Sequence, residues 1–294
     1  MDQTVLKLFA LLFMTLDHIG TFIPNTPYIF NYIGRLAGSI FFFCTVEGYT
    51  HTRSKRKYLL RIYIMAQVMS AMDILLPMLM RCFYPEMQSE IIRNNVFIEI
   101  FGMLFLIYLC EKASKLQPKA KRNIVIAAIV IAFCVYQCIV TDLINTKHCF
   151  GINEISGVVE TIFDSLLGLF WNRGGLCVDF TILIFYVFRG QKKKQVVAYA
   201  LWCCLYLFYF VFCIPGYLNR FVGSFYGLHF WDFGTLHSRA FNLNYQWMMI
   251  FSLPFYMLYN GKRGKGLKSL FYLYYPAHIA ILYCISTMMT MAEQ

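Results

Sequence analysis

Nine apolar stretches of 15–23 residues run through this 294-residue chain: 5–23, 32–50, 58–80, 95–111, 123–141, 175–189, 196–213, 244–260 and 269–290. About 20 apolar residues in a helix cross the ~30 Å hydrocarbon core of a bilayer. No soluble arrangement hides so many such runs, so the pattern predicts an all-α, polytopic membrane helix bundle. Composition agrees. Only 14% of residues are charged and 59% are hydrophobic, against about a quarter charged in soluble domains. The 29 Phe and 21 Tyr suit lipid-facing surfaces and interfacial belts.

The basic residues fix an expected orientation. Residues 53–61 and 112–122 hold five Lys and Arg each, and 189–194 and 262–268 hold four each, which is 18 of the 26. With all four clusters cytoplasmic, the N-terminus is inside and the loops at 24–31, 81–94, 142–174 and 214–243 are outside. That parity requires nine crossings, with 155–171, which carries Glu160 and Asp164, re-entrant or interfacial. A full crossing there makes ten. The first run is read as a retained helix and not a cleaved signal peptide, because no small-x-small site precedes Pro24-Asn25-Thr26-Pro27. The expected location is the plasma membrane of a bacterial cell, with residues 1–294 as one transmembrane domain. The net charge of +11 is then a matter of topology and anionic lipid, not nucleic-acid binding.

Eleven cysteines are present, mostly inside apolar runs, without CxxC spacing. Cys82, Cys149 and Cys177 lie near expected outer ends, where one disulfide would be feasible. His229, Asp232 and His237 in the aromatic loop 214–243 are spaced like metal ligands, but an interfacial loop with polar tips explains them, and no metal is expected.

The first run, LKLFALLFMTLDHIGTFIP, contains Lys7, Asp17 and His18. Ionisable groups within a membrane helix are costly and point to function. Eleven residues at about 100° each bring Lys7 and His18 to within about 20° of one helix face, ~16 Å apart along the axis. A cation and an imidazole so placed suit one long ligand, such as an acyl-coenzyme A. Lys7 would hold phosphate, and His18 would act as general base on an amine or hydroxyl or carry the acyl group. The structural readings stand beside these: Lys7 snorkelling to the inner interface, and His18 as a satisfied bundle residue. Asp17 points about 100° away from His18 and matches the depth of Arg35 in the second run. An Asp17–Arg35 pair is the economical reading; a role for Arg35 towards acceptor or oxyanion is the functional one. Glu47 faces either Lys7 or the basic run that follows it. Arg61 belongs to that run, foremost a topology signal with some members available to coenzyme A phosphates. His278, next to Pro276 in the last run, is either a packed residue or a second member of the site. The glycine-rich loop YNGKRGKG, 259–266, lacks P-loop spacing and reads as a cytoplasmic turn.

Taken together, LKLFALLFMTLDHIG, YIGRLAGSIFFFCTVEGYTHTRSKRKYLLR, NVFIEIFGMLF, YNGKRG and LFYLYYPAHIAIL resemble, in order, the TraX family, which is linked to conjugal transfer and to N-acetylation of pilin. Within 112–243 only GLCVDFTILIFYVFR resembles the family. TraX proteins in turn resemble transmembrane acyltransferases of the acyltransferase-3 and glucosaminide N-acetyltransferase types. The acyltransferase-3 first helix carries a basic residue, ten residues and a histidine, a spacing that Lys7-x10-His18 fits. The resemblance implies acetyl-CoA as donor substrate, His18 as catalytic histidine and Lys7 on the donor path. Arg35 and His278 match family motifs. The implied partners are acyl-CoA, membrane lipid and an extracytoplasmic acceptor: a pilin, peptide, glycan or lipid. Two other readings of the same residues are a proton-coupled transporter, although no inverted repeat is visible, and a non-catalytic assembly protein of a conjugation or cell-surface apparatus.

Overall fold

The computed structural model describes residues 1–84, 92, 95–148, 175–209, 241 and 245–292. The segment 155–171, Cys149 and the loop 214–243 with His229, Asp232 and His237 lie outside the described residues. Among the described residues the structure is helical, without strands. The helices are α1 (Gln3–Phe22), α2 (Ile29–Thr50), α3 (Lys55–Phe83), α4 (Val96–Ala113), α5 (Lys119–His148), α6 (Gly175–Val187), α7 (Lys192–Phe208), α8 (Leu253–Leu258) and α9 (Lys268–Ala292), with a 3₁₀ helix, Gln246–Ser252, leading into α8.

Five of them are long and apolar enough to cross a membrane: α1, α2, α3, α5 over Lys119–Ile139, and α9 over Leu270–Ala292. Their outward faces are hydrocarbon: Leu12, Leu60, Leu75, Ile131, Leu273 and Ile281 are all exposed. The other expected spans are less regular. α4 has the length but carries Glu99, Glu111 and Lys112, and α6 has only 13 residues. The run expected at 244–260 is not one helix but seven residues of 3₁₀ followed by six of α. The bonding register changes next to Pro254, which has no N–H to give a helical ladder.

The chain divides into two compact units, and among the described residues it passes between them at His51/Thr52 and, inside α6, at Asp179/Phe180. The first unit contains α1, α2, the rest of α6, α7, the 3₁₀ helix, α8 and α9. Capping starts α1, where the Asp2 carboxylate accepts from Val5 N–H at 2.9 Å. The tight turn after it uses Asn25 at φ +59°, a left-handed position that asparagine tolerates. α2 then returns antiparallel, with Gln3 Nε2 donating to Cys44 O at 2.8 Å at one end and Asn31 Nδ2 donating to Asp17 O at 3.2 Å at the other. The crossing is close because it is lined by glycine. A Cβ on Gly34 would overlap the Asp17 carboxylate, and one on Gly20 would meet the Asn31 amide. Small residues are what let membrane helices approach.

α9 packs along α1 in parallel. Lys7 lies over the Phe271 ring at 5.6 Å. Further along, the Thr15 and Tyr274 hydroxyls are 2.7 Å apart, His18 meets His278 and Phe22 meets Tyr283. Two parallel spans start on the same side, which an odd number of intervening crossings allows. The 3₁₀–α8 segment runs beside α2, tied by Ser39 Oγ donating to Ser252 Oγ at 3.0 Å. There Phe43, Phe185, Tyr199 and Tyr256 form a buried aromatic core, with ring centroids 5.0–5.4 Å apart. The Tyr199 hydroxyl donates to Met249 O at 2.9 Å, so the core's polar atoms stay satisfied. The loop 259–266 is a turn, as expected. It closes on the start of α1, with Gln3 N–H donating to Lys262 O at 2.9 Å. Gly264, at φ +70°, lies against the Asp2 carboxylate, where no side chain fits.

The second unit contains α3, α4 and α5. α3 and α4 run antiparallel, with Tyr63 against Phe101 at 4.6 Å and Asn95 Nδ2 donating to Ala66 O and Ser70 Oγ at 2.8 and 2.7 Å. At the other end Lys55 Nζ pairs with Glu111 at 2.6 Å and Arg56 Nε donates to the Tyr108 hydroxyl at 2.9 Å. Two members of the basic run therefore serve helix packing. Buried polar residues in this unit include Asp73, Glu99 and Gln137. Cys82 and Cys177 are both free thiols.

Gly34→Val tests the α1–α2 crossing. The added methyls have no space, and overpacking of this kind costs about 1–3 kcal/mol. The variant should unfold at a lower temperature than wild type in the same detergent, whereas Gly190→Ala, at a loop position with open space around the Cβ but φ +78°, should lose less.

Candidate functional site

Two polar contacts lie side by side near one end of α1, because Asp17 and His18 are consecutive and leave the helix about 100° apart. Asp17 turns to α2 and forms an ion pair with Arg35 Nη2, the pair expected from their depth. Arg35 is held further by Gln246 Oε1, which accepts from Nη1 at 3.1 Å, by Asn31 O, which accepts from Nε at 3.3 Å, and by the Tyr245 ring at 5.2 Å. Its fork therefore ties α1, α2 and the 3₁₀ helix together. Both side chains are mostly buried, at 25% and 17% exposure, so each charge needs the other.

His18 turns the other way, to α9. Its Nδ1 is 2.6 Å from His278 Nε2, and His278 Nδ1 donates to the Tyr274 carbonyl at 2.8 Å. The two imidazole planes differ by only 19°, with centroids 4.9 Å apart. That separation is the N···N distance plus the two ring radii, so the rings meet end to end within their planes. Tyr274 stacks on His278 at 5.0 Å, and Tyr275 meets both histidines edge-on. Both histidines are buried, with 8% and 7% exposure. Their closeness follows from the α1–α9 register, and Pro276, inside α9, lacks the N–H that would bond the carbonyl four residues earlier.

The structure thus brings His18, His278, Asp17 and Arg35 to one end of α1. Lys7 is on the same helix, three turns away, with its ammonium over Phe271. Glu47 pairs with His51 at 3.7 Å. Arg61 belongs to the second unit, exposed on α3, where its Nε donates to Lys57 O at 3.1 Å. Among the described residues no three His, Cys, Asp or Glu side chains gather as a metal site. Sequence reasoning missed Tyr274, Tyr275, Gln246, Tyr245 and Asn31. Tyr274 had a signal, since it stands four residues before His278 on the same face. Gln246 and Tyr245 had none, because their place depends on the irregular 3₁₀ segment.

A double-mutant cycle on Asp17→Asn and Arg35→Gln should expose the coupling. Each single variant leaves a mostly buried charge without its partner, and the double variant should recover about 1–3 kcal/mol of the summed loss. Additive losses in chemical unfolding would show the pair to be a bystander.

No curated protein and no solved structure shows a significant match to the chain. The TraX protein family matches residues 2–237, a stretch that includes Lys7, Asp17, His18 and Arg35 and ends before α9 with His278. A family match over most of the chain, carrying the α1–α2 hairpin on which this site is built, makes the protein a member of the TraX family.

Proposed function

We propose that this protein is a membrane-embedded acyltransferase that moves an acetyl group from cytoplasmic acetyl-CoA to an amine or hydroxyl on the outer side. The observation that carries the reading is the buried His18–His278 contact, set on the same helix as a lysine three turns away. Imidazoles are good proton carriers near neutral pH, and two of them hydrogen-bonded inside apolar helices exceed what packing needs. The family's link to pilin acetylation makes an amine of a pilin or other extracytoplasmic peptide the first acceptor to try, ahead of a glycan or lipid.

In this mechanism the acceptor attacks the thioester carbonyl while His18 removes its proton. The new C–N or C–O bond forms, the C–S bond breaks, and the coenzyme A thiolate leaves with the proton from His18. Lys7 meets the anionic end of the donor. Asp17 and Arg35 hold α1 against α2 so that His18 is presented to α9. The nine-crossing topology, N-terminus inside, in a bacterial plasma membrane with the whole chain as one domain, belongs to this proposal. It fits the parallel α1 and α9.

Purified protein in nanodiscs should release coenzyme A from acetyl-CoA, faster with an amine-bearing peptide present. His18→Ala should slow that release by about 10²–10⁴-fold. Equal turnover in the variant would remove His18 from the mechanism, and solute movement without acetyl-CoA consumption would favour a carrier.

A further inference from the structure

The hydrogen bonds around the two histidines leave little freedom in where their protons sit. The Tyr274 carbonyl can only accept, so His278 Nδ1, 2.8 Å away, carries a proton. A neutral imidazole has one N–H, so His278 Nε2 is a lone pair. That nitrogen lies 2.6 Å from His18 Nδ1, and two lone pairs do not face each other at such a distance. The proton between the rings therefore belongs to His18 Nδ1. The nearly coplanar, end-to-end meeting of the rings points both in-plane orbitals along this line. It follows that His18 Nε2 is bare, and it makes no hydrogen bond among the described residues.

We infer that His278 is a positioning residue that locks His18 in its Nδ1–H tautomer, so that Nε2 is the basic nitrogen of the site. In water the Nε2–H form of imidazole is the commoner, so the lock sets a state the ring would not otherwise favour. The chain from the Tyr274 carbonyl through His278 to His18 does the work of the carboxylate in a Ser-His-Asp triad, which holds its histidine's tautomer and orientation. Asp17 does not fill that role, because its carboxylate is paired with Arg35 on the α2 side. When Nε2 takes a proton, the charge on His18 is shared through Nδ1–H with His278, which keeps its own proton on Tyr274. A neutral imidazole in place of a carboxylate leaves no resting charge to bury among apolar helices. The chemical use of this arrangement rests on the acyltransferase reading; the tautomer itself does not.

The test is nitrogen NMR of protein labelled with ¹⁵N-histidine in nanodiscs. Signals of the six histidines are assigned through single His→Gln variants. Wild type near neutral pH should show His18 protonated at Nδ1 and bare at Nε2. His278→Phe, which keeps a ring but no acceptor, should return His18 to the Nε2–H form. His278→Gln, whose side-chain oxygen can accept, should keep the Nδ1–H form and most of the activity. In the coenzyme A release assay, His278→Phe should lower kcat about 10²-fold with KM for acetyl-CoA unchanged. An Nε2–H His18 in wild type, or a tautomer indifferent to His278→Phe, overturns the inference. The expected tautomers with no acetyl-CoA turnover would uphold the inference and defeat only the proposed function.

Discussion

The Asp17–Arg35 ion pair fixes the crossing of α1 and α2, and most of the first unit is arranged around it. Two charges in apolar surroundings cannot be left singly, so the two helices must cross where the groups meet. Gly34 provides the space for the carboxylate. The remaining donors of Arg35 reach Asn31 and Gln246, which brings the 3₁₀ helix to the same point. An arginine does this where a lysine does not, because its fork offers several donors in fixed directions.

That crossing determines what the next residue can do. With Asp17 committed to α2, His18 is turned about a quarter of the way round the helix and faces α9. There the parallel register places His278 against it. The site is thus built from the two ends of the chain, 260 residues apart in sequence, and a slip of α9 by one residue along α1 would separate the rings. The Thr15–Tyr274 hydroxyl contact and the Lys7–Phe271 contact hold the same register on the side towards the start of α1, while Phe22 against Tyr283 holds it on the other.

Several basic residues that look available in the sequence are used within the fold. Lys55 is paired with Glu111 and Arg56 with Tyr108, and Lys192 Nζ donates to the carbonyls of Met257 and Tyr259. The last contact is a cation satisfying carbonyls at the end of α8, as expected for orphan helix acceptors. These cations are therefore partly used in packing the helices. The proposed donor path is better sought around Lys7 than by counting lysines.

The sequence by itself determined the all-helical architecture, the main apolar helices and the residues worth watching. It did so because hydrocarbon imposes one rule on every segment: apolar side chains, satisfied backbone and few charges. Asp17, His18, Arg35 and His278 stood out as exceptions to that rule, and depth alone was enough to pair Asp17 with Arg35. Tertiary structure decided the rest. In the run 244–260 Pro254 was the one sign of a break, and the 3₁₀ geometry of 246–252 goes with hydrogen bonds to α2 that the run itself does not announce. One of the two readings of His278 made it a second member of the site, but its direct contact with His18 was not legible, because helix periodicity fixes the face a residue occupies but not which distant helix comes to cover it.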